Sequence, residues 1–157
     1  MVNRFYCIVS LVVFTVSTCI AVPLQEKAQP EKPQTKTLKV SVSYTGKGEV
    51  GEGHGIYLFL FDSPDFIQSP GSVMPIGFKT IRSNGEATTF EGLTADNVYL
   101  AVAFDEAGGY DMQGPPPSGT PVAVYKQGEA QFPTPIKLEA GKDNELKFSF
   151  DDALRMP

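Results

Sequence analysis

Past its first 21 residues the chain has no cysteine, since Cys7 and Cys19 are its only two. A domain built from the remainder therefore folds without a disulfide and depends on its core alone. Tryptophan is missing altogether, which removes the commonest anchor of sugar- and protein-binding surfaces. Histidine occurs once, as His54 between Gly53 and Gly55. Zinc sites draw on several imidazole or thiolate ligands, and one imidazole does not make such a set. Gly-x-Ser-x-Gly does not occur and no neighbour in sequence orients the His54 ring, so His54 reads as an exposed loop residue rather than part of a hydrolase relay. No cluster of Lys and Arg is present, and of 13 basic and 18 acidic residues the leader removes one basic, Arg4, leaving a net charge of −6. Such a chain is a poor grip for phosphate backbones or anionic lipid, and nucleic acid is excluded as an expected partner.

What is present begins with Arg4 and an apolar run from Phe5 to Ile20 broken only by Ser and Thr. This is the shape of a secretory leader, and it is too short for a spanning helix, which needs about 20 residues. Residues 1–21 are expected to be a signal peptide cleaved after Ala21. The alternative is a lipid anchor at Cys19, because Val16-Ser17-Thr18-Cys19 resembles a bacterial lipobox with Thr18 where Gly, Ala or Ser is usual. Residues 22–37 are Gln, Glu, Lys, Pro and Thr with little apolar content. Such a segment buries too little surface to offset its ordering entropy and reads as a disordered linker. Residues 38–157 form one domain.

Within that domain Leu38 to Tyr44 and Leu146 to Phe150 alternate apolar and polar, the period of strands with one wet face. Ile56 to Phe61 and Val98 to Phe104 are apolar throughout, as central strands covered on both faces would be. Ile76 to Arg82 is expected to pair antiparallel with Ala87 to Phe90 through a tight turn at Asn84-Gly85, whose residues accept positive φ. Pro121 to Tyr125 and an edge fragment at Ile136 to Leu138 complete the set. About seven short strands with turn signals roughly every ten residues point to an all-β fold, a single antiparallel seven-stranded β-sandwich of immunoglobulin-like or prealbumin-like type.

Asn84-Gly85-Glu86-Ala87-Thr88-Thr89-Phe90-Glu91-Gly92-Leu93, followed by Tyr99-Leu100-Ala101-Val102, resembles the transthyretin-like, carboxypeptidase-regulatory-like sandwich domains. The continuation to Asp105-Glu106-Ala107-Gly108-Gly109-Tyr110-Asp111 is similar to a family of small exported bacterial proteins of unknown function, whose loop carries Asn at the positions of Ala107 and Gly109. The resemblance spans residues 76–124. It implies a prealbumin-like sandwich acting as an accessory or binding module without catalysis, exported to the periplasm, the cell surface or beyond. The transthyretin-like class also includes hydroxyisourate hydrolases, which need more than one histidine and a terminal Tyr-Arg-Gly-Ser; this chain has one histidine and ends Leu154-Arg155-Met156-Pro157. Related adhesin sandwiches weld a Lys to an Asn, and Lys39 with Asn144 is the pair to inspect, although the alternation turns Lys39 to water.

Two further groups of residues are candidates for binding. Asp105, Glu106 and Asp111 place three carboxylates in one glycine-bearing loop, a calcium candidate that needs further donors to reach about six to eight oxygens. The alternative is a solvated acidic loop with no cofactor, and a small hydrolase stands behind both. Tyr57, Phe59 and Phe61 line one face of their strand and read as core. Should that face prove open, they become the surface for a protein or cell-envelope partner. Pro115-Pro116-Pro117 is a stiff return loop, or a polyproline ligand for an aromatic groove.

Overall fold

The computed structural model describes residues 34–68 and 71–157. The leader at 1–21, with Cys7 and Cys19, and the linker up to residue 33 lie outside the described residues. Eight strands are present: β1 Lys36–Tyr44, β2 Ile56–Phe61, β3 Gly77–Ile81, β4 Ala87–Leu93, β5 Asn97–Phe104, β6 Val122–Val124, the two-residue β7 Ile136–Lys137, and β8 Asn144–Phe150. Among the described residues the single helical element is a 3-10 turn, Pro64–Ile67, capped by the Ser63 side chain on the Asp65 N–H. Among the described residues no helix is long and apolar enough to cross a membrane.

The strands form two sheets. The smaller has the order β4-β1-β8; the larger has β3-β2-β5-β6, with β7 taking the other half of the β5 edge. Alternation places Leu38, Val40, Val42 and Tyr44 of β1 on the inner side, where they meet Ile56, Leu58 and Leu60 of β2 and Val98, Leu100, Val102 and Phe104 of β5 in one buried cluster. The outward residues of the smaller sheet are polar: Lys39, Ser41 and Ser43 on β1, Glu145, Lys147 and Ser149 on β8. The all-β, two-sheet expectation therefore holds at this level.

Three expectations are corrected. First, β3 and β4 do not form a hairpin pair. β3 pairs with β2 and β4 with β1, so the chain changes sheets at the Asn84-Gly85 turn. The cause is that the turn docks on β1: the Asn84 amide accepts from the Tyr44 N–H at 2.7 Å and donates to the Tyr44 carbonyl at 2.8 Å, while the Gly85 N–H donates to the Val42 carbonyl at 3.0 Å. The side chain of Asn84 thus satisfies a strand backbone as another strand would. Second, the sandwich is not wholly antiparallel, because β1 and β8 run parallel from Leu38↔Asn144 to Tyr44↔Phe150. Third, β1 starts at Lys36 rather than Leu38; Lys36 is 8% exposed, and its ammonium reaches the Asp96 carboxylate and the Ala95 carbonyl.

Candidate functional site

The acidic loop leaves the C-terminal end of β5. Asp105 is 4% exposed, and its carboxylate accepts the Gly108 N–H at 2.9 Å on one oxygen and the Tyr110 N–H at 2.8 Å on the other. Its own N–H donates to the Gly55 carbonyl at 3.0 Å. Gly108 has φ +80°, and a Cβ there would stand 2.9 Å from the Gly53 carbonyl oxygen and 3.3 Å from the His54 ring. The loop is therefore closed by Asp105 and packed on the 51–54 turn. Asp111 accepts the Gln113 N–H at 3.0 Å, a turn that holds Met112 at φ +60°.

Glu106 points elsewhere, to Arg155 at 2.9 Å. Arg155 also donates to the Gly119 carbonyl at 2.7 Å and lies 3.6 Å from Asp152. The Tyr44 hydroxyl in turn donates to the Asp152 carboxylate, which also accepts the Lys47 N–H at 3.1 Å. Burial, and then the bond to Asp152, pushes the Tyr44 hydroxyl well above the usual phenol range, while the same bond and the Lys47 N–H hold Asp152 below the usual carboxylate range. This network belongs to the C-terminal residues, which no motif in the sequence marks as a site.

The three predicted carboxylates are thus near in sequence and divergent in engagement: Asp105 is turned into its own loop, Glu106 toward the C-terminal segment, Asp111 onto an exposed turn. Among the described residues no group of three or more His, Cys, Asp or Glu side chains is disposed to hold a metal ion. His54 is exposed beside Gly108. Lys39 pairs with Glu145 at 2.9 Å, and the Asn144 amide donates to the Thr37, Glu139 and Lys142 carbonyls, so Lys39 and Asn144 face different partners. In the proline loop Pro115 and Pro117 are exposed and Pro116 is half-buried; the Thr120 N–H closes the return on the Pro117 carbonyl at 3.2 Å.

The aromatic row lies elsewhere than expected. Tyr57 and Phe59 are half-buried on the outer face of the larger sheet; only Phe61 is buried there, under the ring of Phe66 stacked at 4.1 Å. The expectation that β2 is covered on both faces is corrected. Its inner side carries Ile56, Leu58 and Leu60; on its outer side Phe66 stacks on Phe61 at one end and Tyr110 meets Tyr57 edge-on at 5.0 Å at the other, with Tyr57 and Phe59 left half-exposed. Strand register sets the rest of that face in rows. One runs Phe78, Phe59, Ala101, Val124; the next runs Thr80, Tyr57, Ala103, Val122; a third places Phe61 beside Tyr99. No charged side chain stands in these rows. Ala101, half-buried, leaves the middle of the face low between the β2 aromatics and the β6 valines, while Ala103 is buried. Burial, and then the charge of Asp105, raises the Tyr57 hydroxyl above its ordinary range, and that hydroxyl donates to the Tyr110 carbonyl at 2.9 Å.

Comparison of the chain with protein-family models, curated proteins and solved structures returns no match.

Proposed function

We propose that the chain is an exported, non-catalytic binding module, a sandwich of the prealbumin-like kind that meets a protein or cell-envelope ligand through the outer face of its larger sheet. The observation that carries this reading is the contrast between the two outer faces. One presents Lys39, Glu145 and Lys147 to water; the other presents Tyr57, Phe59, Phe78, Tyr99, Val122 and Val124 with no charge among them. A sheet face turned to solvent ordinarily alternates to polar residues. An apolar face framed by two ring contacts fits a contact surface.

The non-catalytic part of the reading is supported by the separate engagements of Asp105, Glu106 and Asp111, which do not converge on one reacting atom. The test is photo-crosslinking in envelope extract, with a benzophenone amino acid placed at Phe59 or, on the opposite face, at Lys147. Adducts from position 59 and none from 147 are expected. Equal adducts from the two positions, or none from either, overturn the assignment of this face, and turnover of any substrate that depends on His54 overturns the non-catalytic reading.

A further inference from the structure

We infer that two copies of this chain pair edge to edge through β3, in antiparallel register centred on Phe78. This concerns the edge of the larger sheet and goes beyond the use of its outer face. Of the sheet edges, that of β6 is covered: the Val122 N–H donates to the Leu154 carbonyl, the Met156 N–H to the Thr120 carbonyl and the Gly119 N–H to the Met156 carbonyl, each at 2.9 Å. The β8 edge is guarded by Glu145 and Lys147, the charges that keep an edge solitary. The β3 edge is different. It is unpaired on its outer side, and three exposed large apolar side chains lead into and along it: Met74, Ile76 and Phe78, with Met74 at 75% and Phe78 at 58% exposure.

Beside it a groove of about 380 Å³ opens between β3 and β4, lined by Pro75 to Lys79 on one side and by Phe90, Glu91 and Leu93 on the other. The occupant follows from charge. The groove holds one cation, Lys79, and one anion, Glu91, and among the described residues neither is in a salt bridge. A surface that carries its own complement suits a two-fold contact with a second copy, in which each residue meets its counterpart reciprocally.

The register is fixed by the same residues. Centring on Lys79 would set two ammonium groups directly opposite, which is unfavourable. Centring on Phe78 sets the two rings opposite each other and brings Lys79 of one copy opposite Gly77 of the second. Gly77 has no side chain, and the Phe90 ring stands 3.1 Å from where its Cβ would be; the groove they line also holds Glu91, so the lysine stem lies across an apolar ring and its ammonium has a partner. The two larger sheets become one continuous sheet, and their apolar faces one surface.

The test uses the full chain with Cys7→Ser and Cys19→Ser, which leaves no native thiol. Sedimentation over a range of concentrations is expected to show a monomer–dimer equilibrium. Phe78→Asp should raise the dissociation constant by roughly thirtyfold or more, as for a central aromatic anchor, while the unfolding midpoint, read at concentrations where the native chain is monomeric, changes little, because Phe78 is 58% exposed in the single copy. Lys79→Glu should weaken the dimer, and Lys79→Glu with Glu91→Lys should restore it. Opposed residues of an antiparallel pair lie about 4.5 to 5.5 Å apart at Cα, within disulfide range. Phe78→Cys should therefore cross-link on oxidation, and Thr89→Cys should not. A chain that stays monomeric, a dimer indifferent to Phe78→Asp, a charge exchange that restores nothing, or a monomer that takes up a peptide strand at this edge would each overturn the proposal.

Discussion

Both carboxylate oxygens of Asp105 are engaged by the loop itself. Each accepts one backbone N–H of its own loop, from Gly108 and from Tyr110, in a position that excludes water. Asp105→Asn exchanges one acceptor for an NH₂ group that would face an N–H, leaving a buried donor unsatisfied at a cost of about 1–3 kcal/mol. Denaturant unfolding of the variant should show that loss equally with excess calcium and with chelator. A calcium ion at about a hundred times its dissociation constant would add roughly 2.7 kcal/mol to the native chain; a gain of that size, lost in Asp105→Asn, would make the loop a metal site. The presence of three acids was legible in sequence, and their divergence was not. Which way a carboxylate turns depends on N–H groups that the loop offers only once Gly108 and Gly109 adopt positive φ.

Strand positions were legible because alternation is local, and sheet membership was not because it is settled at a distance. Asn84 illustrates the difference. Asn-Gly announces a turn, but that turn is held by Tyr44, 40 residues earlier, and the partner decides that β4 joins β1. Asn84→Ala removes one acceptor and one donor from the Tyr44 backbone, and a loss of about 1–3 kcal/mol is expected in denaturant unfolding. Tyr57 and Phe59 should keep their solvent accessibility in that variant, since β2 pairs with β3 and β5 regardless. No loss of stability would mean that Gly85 alone directs the switch of sheets. The same limit explains the outer face of β2. Six apolar residues in succession mark a central strand, but periodicity does not say whether a second layer covers the far side. Register supplied that answer by adding Phe78, Tyr99, Ala101 and Val124 to the same surface.

At the scale of the whole molecule, the start and end of the fold are joined by one polar network beneath the acidic loop. The Tyr44 ring at the end of β1 packs against Phe104 at 4.3 Å and Phe150 at 5.1 Å, and its hydroxyl meets Asp152, while Arg155 spans from Asp152 to Glu106. Two windows of pH dependence follow from the directions of the shifts. The native chain holds the Tyr44 proton more tightly than the unfolded chain, so its stabilisation is complete below the ordinary phenol value near 10 and drains as pH rises above it. Tyr57 and Tyr110 are also raised, chiefly by burial, and share that alkaline loss. Asp152 is shifted the opposite way, so its contribution is present above the ordinary carboxylate range and is lost as pH falls through its lowered native value. Thermal unfolding across pH should therefore show a midpoint that falls at the alkaline end, less steeply in Tyr44→Phe, with Tyr57 and Tyr110 carrying the remainder. Phenolate absorbance should rise for those three tyrosines only above the ordinary range. Asp152→Asn should flatten the acid arm and leave the contributions of Tyr57 and Tyr110 at the alkaline end in place. Profiles identical to the native chain in the two variants would mean that the Tyr44–Asp152 bond does not join the ends of the fold in solution, and that the C-terminal segment is held by the β6 hydrogen bonds alone.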